Sequence, residues 1–255
     1  MRELVELPRV DILGTRVTAS TFAEAMNALA GCVARLRPAV FGAATVYSVM
    51  LAREDAAYRA AVNATDYLMA DGMPLVWGAQ RLGSPAERVH GDDLLLACAR
   101  AHPGWRWFLL GGAPGQPEAV RAALTARFPT LHVVGARATP VRPVPAPENE
   151  RVLDEIRRSG ANVVWVGMGT PAQDLWMAAN RERVGLPLVG VGSAFDLLSG
   201  RTRSTPEWMK RSGLQWVHRL VQEPRRLARR YAVYNTLFAW HLGRQLLRGP
   251  GGPRR

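Results

Sequence analysis

Short apolar runs without alternation recur along the chain. Each is closed by a glycine-bearing turn and followed by a segment of helical periodicity. Trp105-Arg106-Trp107-Phe108-Leu109-Leu110 leads through Gly111-Gly112-Ala113-Pro114-Gly115 into an amphipathic stretch from Glu118 to Phe128. Asn162-Val163-Val164-Trp165-Val166 leads through Gly167-Met168-Gly169-Thr170-Pro171 into Ala172 to Val184. Pro187-Leu188-Val189-Gly190-Val191 leads through Gly192-Ser193-Ala194 into Phe195 to Leu198. Uninterrupted apolar runs suit strands covered on both faces. Their alternation with helices predicts right-handed crossovers in a parallel sheet. Val40 to Ala44 and Tyr67 to Ala70 are further strand candidates around a helix from Val46 to Asn63, and Leu131 to Gly135 adds a short strand. The pattern reads as α/β: a Rossmann-like, mostly parallel sheet with helices on both faces. Such sheets take ligands at the carboxyl ends of their strands.

The pattern breaks twice. Ala136 to Asn149 holds four prolines and little apolar content, which predicts an exposed loop. From about Pro206 the strand signal stops. Leu214, Val217, Leu220 and Val221 form one helical stripe, and Leu227, Tyr231, Tyr234, Phe238 and Leu242 form another. Pro224 separates them and fits the first turn of a helix. Three parts are expected: an α/β body over 1–205, a helical Arg-rich appendage over 206–247, and a disordered tail over 248–255.

Charge adds a second constraint. The formal net charge is +12, and Lys210 is the only lysine among the cationic residues. A basic face serves nucleic acid, anionic lipid or a phosphorylated substrate, and a merely solvated surface accounts for it equally well. Against nucleic acid, there is no helix-turn-helix or RNP-like aromatic motif. Cys32 and Cys98 are too few for a disulfide scaffold and read as core residues in a reducing compartment. No Cys/His cluster has zinc spacing, so no metal and no cofactor are expected. The first residues lack the apolar core of a signal peptide, and no run of about 18 apolar residues exists to span a bilayer. A cytoplasmic protein is expected, with a peripheral membrane role open.

Asp71, between Ala70 and Gly72, falls at the end of a buried strand. It suits either a general base or an Asx turn. Asp92 and Asp93 precede Leu94-Leu95-Leu96 and read as a helix N-cap. The turns at Gly111–Gly115 and Gly167–Pro171 suit a phosphate at a helix N-terminus, but tight ligand-free turns use glycine as well. Arg219, Arg226 and Arg229 would share a face on one continuous helix. Guanidinium groups bind diphosphates through bidentate hydrogen bonds. The alternative is a solvated basic face partnered by Glu223.

Taken in order, seven segments resemble the WecG/TagA/CpsF glycosyltransferases, glycosyltransferase family 26. They begin with Ala70-Asp71-Gly72-Met73-Pro74-Leu75-Val76-Trp77, Arg88-Val89-His90-Gly91-Asp92-Asp93-Leu94 and Leu109-Leu110-Gly111-Gly112-Ala113-Pro114-Gly115. They continue with Val166-Gly167-Met168-Gly169-Thr170-Pro171-Ala172-Gln173-Asp174 and Gly190-Val191-Gly192-Ser193-Ala194-Phe195-Asp196. Pro206-Glu207-Trp208-Met209 and the run from Gly213 to Leu227 complete the set. The resemblance implies an inverting, metal-independent transfer of a hexose, of N-acetylmannosamine type or another, from a UDP-sugar. The implied acceptor is a polyprenyl-diphosphate-linked sugar at the inner face of the cell membrane, whose anionic surface is a further partner. Asp71 takes the place of the base and Gln173 that of an active-site glutamine. Arg219, Arg226 and Arg229 take the place of arginines that close over the donor diphosphate. Thr45, Asp196, Gly112 and Gly169 complete the expected binding set. The chain departs from the family pattern at Ala43, Ala172, Ser204 and Gln215. A non-catalytic relative is the alternative those departures leave open.

Overall fold

The computed structural model describes residues 5–140, 143–206, 208–209 and 212–248, and every side chain among them except that of Arg226. The chain opens with a hairpin of β1 (Arg9–Ile12) and β2 (Thr15–Thr18), then α1 (Phe22–Ala34) and β3 (Ala39–Ala44). Next come α2 (Val46–Glu54), α3 (Ala56–Asn63), β4 (Tyr67–Ala70), α4 (Met73–Arg81) and α5 (Gly91–Ala101). The second half runs β5 (Arg106–Leu110), α6 (Gln116–Arg127), β6 (His132–Arg137), α7 (Ala146–Ser159), β7 (Val163–Val166), α8 (Ala172–Val184), β8 (Pro187–Gly190) and α9 (Ala194–Leu198). Two helices end the described chain, α10 (Gln215–Gln222) and α11 (Pro224–Arg248).

Among the described residues the strands form one sheet in the order β1-β2-β4-β3-β8-β7-β5-β6. Only the β1–β2 pair is antiparallel. The inner strands β3, β4, β5, β7 and β8 are apolar at successive positions because each faces two cores. Phe41, Trp107, Trp165 and Val189 point into one, beneath α1, α5 and α6. Their neighbours Val40, Phe108, Val164 and Leu188 point into the other, beneath α7 and α8. A doubly covered parallel sheet requires that composition.

The expected strands and the α/β class are present, with three local differences. The hairpin of β1 and β2 is an addition. Its strands are four residues each, and Leu13 and Gly14 turn between them with φ of 54° and 87°. The helix expected over Val46 to Asn63 is two helices, because the Asp55 side chain accepts from the amides of Ala57 and Tyr58 and starts α3 afresh. The proline-rich loop is shorter than expected. β6 runs on to Arg137, α7 begins at Ala146, and Thr139 between them is buried.

The helical C-terminal segment lies against the body. Phe238 is 3% exposed within the core formed by Val49, Leu75 and Val76, and Leu242 packs over Gly78. Gln245 closes the contact by donating to the Asp11 carbonyl at 2.7 Å and accepting from the Leu13 amide at 3.0 Å. Of the tail expected over 248–255, Arg248 ends α11 and residues 249–255 lie outside the described chain.

Candidate active site

β3, β4, β5, β7 and β8 run parallel, so their carboxyl ends open together on one side of the sheet. A cleft of about 460 Å³ lies there. Its wall includes Thr45 after β3, Asp71 after β4, Gly112 after β5, Gly169 and Gln173 after β7, and Asp196 after β8. Arg219 of α10 reaches the same cleft. Seven of the nine expected site residues therefore converge. Arg229 is exposed and is not in the wall. The side chain of Arg226 lies outside what is described.

The arginine geometry has a clear cause. α10 ends at Gln222 and α11 begins at Pro224, with Glu223 at φ −133° and ψ 58° between them. Arg219 and Arg229 thus sit on separate helices, and face arithmetic across the break does not apply. Arg230, which sequence reasoning passed over, lines the cleft instead. Its guanidinium lies 3.5 Å from the centroid of the Tyr47 ring. That contact is a cation–π interaction.

Asp71 is set by backbone ladders. Its amide donates to the Ala44 carbonyl at 2.9 Å, extending the β3–β4 pairing by one residue. The Val89 amide donates to the Ala70 carbonyl at 2.9 Å and lays residues 88–90 beside the end of β4. His90 thereby faces Asp71, with Nε2 3.4 Å from Oδ1. The Asp71 side chain is 16% exposed, and its Oδ1 is buried without a hydrogen bond. Burial pushes the Asp71 carboxyl above the ordinary carboxylate range. His90, Arg219 and Arg88 pull it back, and Asp92 adds to the rise.

Behind His90 stands Asp92, whose Oδ1 meets the imidazole Nδ1. Burial opposes a charge on His90, but the carboxylates of Asp71 and Asp92 outweigh it and hold the imidazole above its ordinary value. Asp92 and Asp93 were expected to cap α5. The N-cap is His90 instead, and both aspartates lie in the first turn, where the helix dipole favours them. Arg88 pairs with Asp93 at 2.8 Å and donates to Gln215 Oε1 at 2.8 Å. Gln215 Nε2 in turn lies 3.1 Å from His90 Nε2, so α10 touches the histidine directly. His90, Asp92 and Asp93 are close enough to share a cation, but each is already engaged by a protein partner.

Gln173 joins two glycine turns. Its Oε1 accepts from the Gly169 amide at 3.2 Å and the Gly192 amide at 3.1 Å. Asp196 is held by Gln116, whose Nε2 donates to its Oδ1 at 2.9 Å. Gly111 is required where β5 leaves the sheet. Its φ is +118°, and a Cβ there would stand 2.7 Å from the backbone of Gly167. Beneath the Thr170-Pro171 turn, the Tyr58 hydroxyl donates to buried Asp174 at 2.7 Å. Burial raises the Asp174 carboxyl to about 6, against the lowering effect of hydrogen bonds from Tyr58, Thr170 and Gln173.

A second, more apolar groove of about 130 Å³ meets the cleft at Thr45, Asp71, His90 and Arg219. Tyr47, Met73, Pro74, Trp216 and Tyr234 line its far side. Asp71 therefore stands where a polar cleft and an apolar groove join. The model of the "Glycosyl transferase WecG/TagA/CpsF family" matches residues 10–251 of this 255-residue chain.

Proposed function

The chain belongs to the WecG/TagA/CpsF glycosyltransferase family, and we propose that it transfers a hexose from a UDP-sugar to a polyprenyl-diphosphate-linked sugar with inversion and without a metal. Membership of the family makes it a glycosyltransferase of cell-surface polysaccharide synthesis. The observation that carries the finer reading is the position of Asp71, at the junction of a polar, arginine-bordered cleft and an apolar groove.

In this reading the donor lies in the cleft. Its diphosphate approaches the turns at Gly112 and Gly169 and the guanidinium groups of Arg219 and Arg230. The acceptor enters through the groove, where aromatic and aliphatic side chains suit a sugar face and the first isoprene units. The acceptor hydroxyl gives its proton to Asp71, and its oxygen forms the new bond to the anomeric carbon. The bond from that carbon to the diphosphate oxygen breaks on the opposite face, and UDP leaves with the electron pair. Arginines near the leaving oxygens offset the charge that builds there.

Membrane attachment belongs to the same proposal. Among the described residues no helix is long and apolar enough to cross a membrane. Trp208, Trp216, Trp240 and Val221 are exposed on the C-terminal segment. Amphipathic helices carrying such side chains and arginines rest in the interface of an anionic bilayer. The test is a panel of UDP-sugars offered with a synthetic polyprenyl-diphosphate sugar. One donor of the panel should yield a disaccharide lipid of inverted anomeric configuration. Donor hydrolysis alone, or no product with any donor, would count against the proposal.

A further inference from the structure

His90 occupies a position that the reaction above leaves without a role. Its ring is buried, with one edge against Asp71 Oδ1 at 3.4 Å and the other against Asp92. We propose that His90 is a positioning residue that sets the charge of Asp71: its imidazolium, held from behind by Asp92, faces the Asp71 carboxylate and keeps it ionised in a site dry enough to protonate it. The inference rests on Asp71 being the base.

The physical argument begins with desolvation. A buried carboxylate loses the water that stabilises its charge and tends to pick up a proton, and a protonated Asp71 cannot accept another. An opposite charge within hydrogen-bonding range reverses that tendency. Four side chains bearing charge or able to bear it face Asp71. Burial raises its carboxyl, His90 is the strongest influence in the other direction, Arg219 and Arg88 act the same way more weakly, and Asp92 opposes them. Asp71 and Asp92 face His90 as anions and Arg88 faces it as a cation, while Asp93 is tied to Arg88. Two aspartates on one imidazole favour its charged form, and the pair titrates as a unit. Gln215 presents its Nε2 to the His90 Nε2 edge at 3.1 Å while its Oε1 accepts from Arg88. An imidazolium has no lone pair there, so with the ring charged the amide must turn its carbonyl oxygen from Arg88 to the ring N–H, which ties the placement of α10 to the charge of His90. A lone arginine in place of His90 would fix the charge permanently. An imidazole makes it conditional on pH.

The test uses the full chain labelled at histidine rings and aspartate carboxyls, followed by NMR through a pH titration without substrate. The His90 signals are those missing from His90→Gln, and the Asp71 carboxyl is the one missing from Asp71→Asn. The His90 midpoint should lie above that of His102, and both Asp71→Asn and Asp92→Asn should move it down. The Asp71 carboxyl should titrate at higher pH in His90→Gln than in the unaltered chain. The acid limb of kcat/KM should move to higher pH in the same variant, whereas a purely structural role would lower the rate equally at every pH. A His90 ring that stays neutral across about pH 5 to 8 overturns the inference. So does an Asp71→Asn variant that leaves its midpoint unmoved. If Asp71→Asn keeps its turnover, the base assignment fails, while the titrations still decide whether the two residues share charge. If Asp71→Asn loses turnover and His90→Gln leaves the acid limb in place, this inference alone fails. Amide spectra establish that each variant is folded, and Asp92→Asn preserves the test should His90→Gln not be.

Discussion

The Tyr58 hydroxyl donates to the Asp174 carboxylate across 2.7 Å, joining α3 to α8 directly beneath the Thr170-Pro171 turn of the cleft. Burial of Asp174, against the opposing pull of that hydrogen bond, gives the fold a pH dependence. The folded-state value of about 6 lies above the ordinary 3.8, so the fold prefers the protonated carboxyl. The stability it contributes is complete below about 3.8 and is lost as pH rises through about 6. The displacement corresponds to on the order of 3 kcal/mol. Asp174→Asn, which cannot ionise, should show a smaller fall in denaturant midpoint between about pH 4 and pH 7 than the unaltered chain. Equal falls in the two proteins would show that Asp174 does not titrate in this range.

Gly111→Ala should disturb the floor of the cleft. The residue needs φ near +118°, and its Cβ would strike the Gly167 backbone, which cannot rotate away. Strain of this kind costs about 1–3 kcal/mol or more. A lower thermal midpoint together with weaker UDP binding by calorimetry is expected. Unchanged values of both would contradict the geometry.

Arg219 and Arg230 are the described guanidinium groups of the helical segment in the cleft wall. Arg219→Ala should lower kcat/KM by about 10–150-fold, the range for losing one charge-assisted hydrogen bond of roughly 1.5–3 kcal/mol. Arg230→Ala should have a comparable effect, and Arg229→Ala a smaller one because Arg229 faces solvent. Steady-state kinetics on the three variants decides the order. A larger loss at Arg229 than at Arg219 would mean that α11 repacks around the donor.

If arginine supplies the positive charge at the leaving diphosphate, turnover should persist in excess EDTA. Loss of activity on chelation, with recovery in manganese or magnesium, would contradict this.

The inner parallel strands were legible in the sequence because each is a short apolar run closed by a turn, which suits a doubly covered sheet. The hairpin of β1 and β2 was not, since Arg9-Val10-Asp11-Ile12 and Thr15-Arg16-Val17-Thr18 are short and half polar. Asp71, Gly112 and Gly169 were legible from their places at strand ends, Gln173 and Asp196 only through the family resemblance, and all five line the cleft. His90 carried no local signal. Its partnership with Asp71 depends on one backbone hydrogen bond, from Val89 to Ala70, that joins segments distant in sequence. The exchange of Arg229 for Arg230 turned on a helix break whose angle no periodicity encodes, although Pro224 marked its place.

The account depends most on Asp71 as the base, and one comparison tests it directly. Transfer from the productive UDP-sugar to a polyprenyl-diphosphate sugar is measured for the unaltered chain and for Asp71→Asn, with UDP affinity measured alongside. The expected result is a fall in kcat of about 10²–10⁴-fold with UDP affinity retained. Turnover near that of the unaltered chain would remove Asp71 from the chemistry and contradict the account.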